Sequence, residues 1–202
     1  MTENKDSIDL AARLEADVNQ ARKSNNIEAL ISVANDALRQ IDDLLTAAPY
    51  LSDEEKRSIL QTAKRIGYNA AADIYPGWEV GTPARSQSEL SAAVELARKS
   101  LAMVEKLDQG PMQQGNGIWL LGALNLARGQ RDQALSAFQK AAELYEKGGA
   151  NEARLLSLGY AAISSQSKIN FDMAIADLEK QNSKNAMGFR DQLIVACQIF
   201  PI

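Results

Sequence analysis

The stretch that decides the fold is Ile118–Glu146, which reads IWLLGALNLARGQRDQALSAFQKAAELYE. Its apolar residues recur every three or four positions on both sides of Gly129, a pattern typical of two amphipathic helices. Glycine accepts the positive φ at which a helix often ends, so Gly129 is expected to form the turn between them. The stretch therefore predicts a helical hairpin.

The order and spacing of small and apolar residues in this hairpin resemble the tetratricopeptide repeat (TPR) family. Gly122 and Ala134, 12 positions apart, supply the small side chains that two closely crossing helices need. The chain departs from the family pattern at Trp119, one position after the usual Trp. The matching residues are Leu121, Gly122, Gly129, Ala134, Phe138 and Ala141.

Further helical patterns flank this hairpin, and we expect an all-α, TPR-like helical-hairpin solenoid of about four hairpins with a C-terminal capping helix. A single domain over residues 1–202 would contain all of them. Its expected parts are a hairpin at 1–50, a divergent repeat with a long loop at 51–110, the best TPR match at 116–147, a second match at 151–181 and the capping helix at 186–199. The glycine-rich stretch Gln109–Gly117 is expected to be a second loop.

The composition favours helices and argues against several chemistries. Aromatic residues make up only 5% of the chain, whereas β sheets favour them. Histidine is absent, which excludes His-based triads and most zinc sites. Cys197 is the one cysteine and has no histidine to activate it. We therefore expect no catalytic residues, no metal and no cofactor, so that the protein is not an enzyme.

Charge and hydropathy bear on partners and compartment. The net charge is -4 and the basic residues are scattered, which argues against nucleic-acid binding. No segment approaches the roughly 20 apolar residues of a membrane span, and the sequence MTENKDSIDL at residues 1–10 is unlike a secretory signal. With a single free thiol, these features predict a cytoplasmic protein.

The TPR resemblance implies a partner-binding groove on the inner faces of the first helices of the hairpins. Because Trp119 is one of the residues implied to line this groove, we expect its side chain to be partly exposed. Tryptophans in such positions are frequent binding hot spots. The alternatives are that Trp119 and Tyr160 pack against neighbouring helices, or that the N-terminal helices fill the groove. The groove residues that the resemblance implies are Lys64, Tyr68, Ala71, Ala72, Trp119, Ala123, Leu126, Ala127, Leu156, Tyr160 and Ile163.

These features predict a non-catalytic scaffold, either an adaptor or a chaperone, that holds a segment of a protein or peptide partner in the groove. One alternative is a self-assembly module, which would form a homodimer or larger homo-oligomer. Another alternative is a helical enzyme or small-ligand-binding protein with a pocket near Trp78, Tyr68 and Trp119.

Overall fold

A computed structural model describes the backbone of residues 2–202 and the side chains from residue 6 onward. Over this range the chain forms nine α helices, one 3₁₀ turn and no β strand, which confirms the predicted all-α class. The helices are α1 (Thr2–Lys23), α2 (Ile27–Ala47), α3 (Asp53–Ile74), α4 (Gln87–Lys106), α5 (Pro111–Ala127), α6 (Arg131–Lys147), α7 (Asn151–Ser164), α8 (Lys168–Gln181) and α9 (Lys184–Ile199), with the 3₁₀ turn at Pro76–Trp78.

The helices belong to two compact units. Unit 1 contains the described residues up to Ile74 together with Ser91–Gln109. Unit 2 contains Tyr75–Leu90 and Gly110–Ile202. Helices α1 to α3 and most of α4 therefore lie in unit 1, whereas the 3₁₀ turn and α5 to α9 lie in unit 2.

Polar side chains cap the starts of helices in unit 1. The backbone N–H of Ser52 donates to Glu55 Oε2 at 2.8 Å, and the Glu55 N–H donates back to Ser52 Oγ at 3.3 Å. This reciprocal capping box satisfies donors that the first turn of α3 leaves free. At the start of α2, Asn26 Oδ1 accepts from the Ala29 N–H at 3.0 Å.

Ion pairs and a buried apolar stripe join α1 to α3 in unit 1. Arg65 Nε lies 2.6 Å from Glu15 Oε1, and Arg22 Nε lies 2.5 Å from Asp73 Oδ2. Between these pairs Val18 is buried on the same side of α1. The pairs are partly exposed, so burial of the apolar stripe supplies most of the stabilisation.

Helices α3 and α4 approach closely at Gly67. A Cβ atom added at Gly67 would lie 2.8 Å from the Leu96 carbonyl oxygen. One turn away, Ser100 Oγ donates to the Lys64 carbonyl oxygen at 2.9 Å. The absence of a side chain at Gly67 therefore sets the distance between the two helices.

The hairpin predicted from Ile118–Glu146 is present in unit 2. Helices α5 and α6 meet at Gly129, whose φ is 77°. Gly122 faces the ring of Phe138, and a Cβ atom added there would lie 2.9 Å from Cε1. The helix–turn–helix prediction for this stretch is confirmed.

The prediction of a loop over Gln109–Gly117 is wrong. Helix α5 begins at Pro111, where the missing proline N–H costs no intrahelical bond. Gly115 lies inside α5, and its missing side chain leaves room for Tyr145, since an added Cβ would lie 2.9 Å from the ring. The Tyr145 hydroxyl donates to Asn116 Oδ1 at 2.8 Å and fixes the ring there.

Candidate functional site

In unit 2, the TPR resemblance implies groove residues on α5 and α7, the first helices of the two hairpins. Most of these residues are buried in the structure. Trp119 is only 4% exposed, so the expected partial exposure of its side chain is wrong. Its role in partner binding stays a prediction. The buried residues of this set are Trp119, Ala123, Leu126, Leu156, Tyr160 and Ile163, whereas Ala127 is half-buried.

Trp119 is buried because a segment of unit 2 lies against it. The ring centroids of Trp78 and Trp119 are 5.8 Å apart, and those of Tyr75 and Trp119 are 6.5 Å apart. Phe200 stacks on Tyr75 at 6.2 Å, and Tyr160 meets Trp119 edge-on at 5.2 Å. We call this set the aromatic cluster; its members are Tyr75, Trp78, Trp119, Phe138, Tyr160 and Phe200.

The tyrosine hydroxyls of the aromatic cluster are held in the neutral form. Burial raises the pKa of Tyr160 to about 12, although Gln192 donates a hydrogen bond to its oxygen at 3.2 Å. Burial also raises the pKa of Tyr75 well above its ordinary value. Nearby polar atoms, Trp119 Nε1 and Ser157 Oγ, are buried without a hydrogen bond to the protein. Neutral phenols with raised pKa values are poor proton donors and poor bases at physiological pH.

The implied groove residues of unit 1 are more accessible. Lys64, Tyr68 and Ala72 are half-buried, whereas Ala71 is buried. Lys64 Nζ donates to Gln109 Oε1 at 3.1 Å, and burial lowers the pKa of its ammonium group. Burial raises the pKa of the Tyr68 hydroxyl.

The three residues named for the small-ligand alternative are divided between the two units. Tyr68 belongs to unit 1, whereas Trp78 and Trp119 are ring neighbours in unit 2. Trp78 is 44% exposed, so part of its indole ring is accessible to solvent on the surface of unit 2.

The open groove of unit 1 lies between α2 and α4, with α3 beneath it. Its volume is about 610 Å³. Leu38, Ile41 and Ala63 are buried at its floor, and Leu45 and Met103 are half-buried at its walls. The polar residues that line it are Ser32, Asn35, Asp36, Arg39, Asp42 and Lys99. We call this feature the α2–α4 groove.

Two polar contacts order the rim of the α2–α4 groove. Lys99 Nζ on α4 donates to Asn35 Oδ1 on α2 at 2.9 Å and so connects the two walls. On α2, Arg39 lies 2.7 Å from Asp36 Oδ1 and 3.5 Å from Asp43 Oδ2. The cation of the α4 wall is thus bound to a neutral amide, whereas the cation of the α2 wall is neutralised by carboxylates.

The α2–α4 groove is not among the sites predicted from the sequence. A signal for it exists in α2, where Leu38, Ile41 and Leu45 recur at three- and four-residue spacing. Arg39 and Asp42 lie along one flank of this stripe. The position of α4 opposite the stripe depends on contacts between residues far apart in sequence.

A second groove, of about 440 Å³, lies among α6, α7 and α8 of unit 2. Leu158 and Met173 line it and are 37% and 59% exposed. Ile169, one turn before Met173 on α8, is 76% exposed. This face of unit 2 therefore presents aliphatic side chains to solvent.

Neither metal ligands nor a known relative indicates a function. Among the side chains from residue 6 onward, no three His, Cys, Asp or Glu residues are grouped as a metal site would require. None of the helices within residues 2–202 combines the length and apolar character needed to cross a bilayer. No protein-family model matches the chain, and no curated protein shows significant sequence similarity to it.

Proposed function

We propose that the protein is a non-catalytic scaffold, an adaptor or chaperone that holds a segment of a partner protein. The observation that best supports this function is the α2–α4 groove of about 610 Å³. Its apolar floor and charged rim match the usual anatomy of a protein-binding surface, in which an apolar centre is surrounded by polar residues. The free thiol of Cys197 favours a reducing, cytoplasmic setting for this function.

The proposal includes a TPR-like arrangement of the hairpins in unit 2. Gly159 follows Gly122 by 37 residues, and both glycines face a large apolar side chain. A Cβ atom at Gly122 would lie 2.9 Å from Phe138, and one at Gly159 would lie 2.3 Å from Leu193. Phe138 lies on α6, the helix that follows Gly122, whereas Leu193 lies on α9, two helices after Gly159, so the two contacts are not equivalent. A repeated packing unit is supported instead by the packing of each helix from α5 to α9 against the next one along the chain. Stacked repeats commonly serve protein binding.

In this proposal the partner binds the α2–α4 groove rather than the face at Trp119. The Tyr75–Trp78 segment contacts Trp119 and leaves little of its surface accessible. Leu45 and Met103 are half-buried and line a groove with room for side chains of another protein.

Site-specific photo-crosslinking tests the scaffold function. A benzophenone amino acid replaces Ser32, which lines the groove, or Asp17, which is exposed on α1 and serves as the matched control. In cells of the natural source, we expect a discrete adduct with one partner protein from position 32 only. Met103→Glu should abolish that adduct, because it introduces a charge at the apolar wall. Equal adducts from both positions, or none from position 32, would contradict the proposal.

A self-assembly module is the second candidate function. It is supported by the exposed aliphatic face of unit 2, where Ile169 is 76% exposed and Met173 is 59% exposed. Sedimentation equilibrium should then show a mass that rises with protein concentration, and Met173→Glu should shift the protein to monomer. A monomer at every concentration would exclude this candidate.

A further inference from the structure

We infer that the α2–α4 groove binds an amphipathic α helix of a partner protein, with basic residues on the flank facing α2 and an acidic residue facing Lys99. This inference rests on the proposed scaffold function and specifies the chemistry of its partner. Three observations support it: the length of the groove, the absence of the features that other modes of peptide recognition require, and the charge pattern of its walls.

The groove has the length of a short helix. Its lining on α2 runs from Ser32 to Leu45, a separation of 13 residues and therefore about 20 Å at 1.5 Å per residue. Ala63 of α3 is small and keeps the floor deep between Leu38 and Met103. A partner helix of about four turns spans this length, and its ridges of side chains fit between those of α2 and α4.

The other common modes of peptide recognition lack their requirements here. Residues 2–202 contain no β strand, so the groove has no sheet edge to which an extended segment could add. Proline-rich segments bind aromatic-lined grooves, and none of the residues lining this groove is aromatic. A helix satisfies its own backbone hydrogen bonds and therefore needs none from the apolar floor of the groove.

The two walls of the groove differ in charge. The α2 wall carries Asp36 and Asp42 against Arg39, which also lies 3.5 Å from Asp43 just outside the lining. This wall therefore has an excess of carboxylates. Lys99 is the charged residue of the α4 wall. A partner helix with Lys or Arg on one flank and Glu or Asp on the other complements both walls.

The contact between Lys99 and Asn35 indicates where along the groove the acidic residue of the partner helix lies. Lys99 Nζ donates to the neutral Asn35 amide at 2.9 Å across the groove. A partner carboxylate would form a stronger, charge-assisted hydrogen bond with the same ammonium group. The acidic residue of the partner helix therefore belongs near the Ser32 end of the groove.

Selection from displayed peptide libraries tests this inference with the full-length protein. One library encodes 16-residue peptides with apolar residues at helical spacing and random flanks, and a second has the same length with prolines throughout. We expect enrichment from the helical library of peptides with one basic flank and one acidic residue. Asp42→Lys should weaken their binding by about fivefold to tenfold, whereas Asp17→Lys, an equal charge change on α1, should leave it unchanged.

Enrichment of the proline library, no enrichment at all, or helical binders insensitive to both Asp42→Lys and Met103→Glu would overturn the inference. The crosslinking experiment separates this failure from failure of the scaffold function. A partner crosslinked at position 32 through an extended, proline-containing segment would leave the scaffold function standing while excluding the helix. Absence of both a Met103-dependent adduct and an enriched peptide would exclude both.

Discussion

The α2–α4 groove of unit 1 and the aromatic cluster of unit 2 use apolar surface in opposite ways. In unit 2, the Tyr75–Trp78 segment lies against Trp119 and leaves it 4% exposed. In unit 1, Leu38 and Met103 line an open groove of about 610 Å³. The aromatic residues that resemble binding hot spots in the sequence thus stabilise the fold, and aliphatic residues line the accessible groove.

The largest expected effect comes from truncating the centre of the aromatic cluster. Trp119→Ala should lower the free energy of unfolding by about 3–5 kcal/mol, because it removes a buried indole and leaves a cavity. Trp78→Ala is the matched control and should cost much less, since Trp78 is 44% exposed. Urea unfolding followed by circular dichroism measures both.

The opposite result would reverse the comparison between the two units. If Trp119→Ala unfolds like the wild type but no longer forms the adduct from position 32, the aromatic cluster contributes to partner binding. The proposed division between a structural cluster and a binding groove would then be wrong.

Alkaline pH should weaken the aromatic cluster through Tyr160. Its pKa is about 12 in the folded protein and about 10 in an unfolded chain, so the folded state holds the phenol proton more tightly. The resulting stabilisation is complete below pH 10 and is lost as the pH rises from about 10 to about 12, a change of about 2–3 kcal/mol. Urea unfolding across this range should show a smaller loss for Tyr160→Phe; an equal loss would show that another group is responsible.

The spacing of helices beside the α2–α4 groove should depend on Gly67. Gly67→Ala places a Cβ atom 2.8 Å from the Leu96 carbonyl oxygen, so backbone must move at a cost of about 1–3 kcal/mol. Gly188→Ala in α9 is the control, because no atom lies within 4 Å of the added Cβ. It should be neutral or stabilise the helix by up to about 1 kcal/mol. Thermal unfolding of both variants tests this, and an unaffected Gly67→Ala would mean that α3 and α4 tolerate wider spacing.

The smallest effect is expected at the rim of the groove. Asp42→Lys changes an exposed side chain, so the melting temperature of this variant should stay within about 2 °C of that of the wild type. The same holds for Asp17→Lys. A large drop for Asp42→Lys alone would indicate that the rim is structural, and any loss of peptide binding could then reflect unfolding.

The sequence predicted local features of the fold because local residues determine them. Gly129 ends α5 through its positive φ, as predicted. A local signal of the same kind lies at the start of α3, where Ser52 and Glu55 form a capping box. Both signals lie within one turn of the feature that they specify. Helix type and most helix limits could therefore be predicted without tertiary information.

Features that depend on distant residues could not be predicted in this way. Gly115 resembles a loop residue in sequence, yet it lies in a helix, where its missing side chain leaves room for the ring of Tyr145, 30 residues later. The burial of Trp119 likewise depends on Trp78, 41 residues earlier. The candidate groove combines α2 with Lys99 and Met103, which no local pattern in α2 identifies.

The placement of the two tryptophans has an optical consequence. Trp78 and Trp119 are the only tryptophans of the chain and both belong to unit 2, whereas unit 1 contains only Tyr50 and Tyr68 as fluorescent residues. Indole emission therefore reports on the aromatic cluster alone, with the half-exposed Trp78 emitting at longer wavelength than the shielded Trp119. Local melting of unit 2 should therefore appear in the tryptophan signal, whereas Tyr50 and Tyr68 are the intrinsic fluorophores within unit 1.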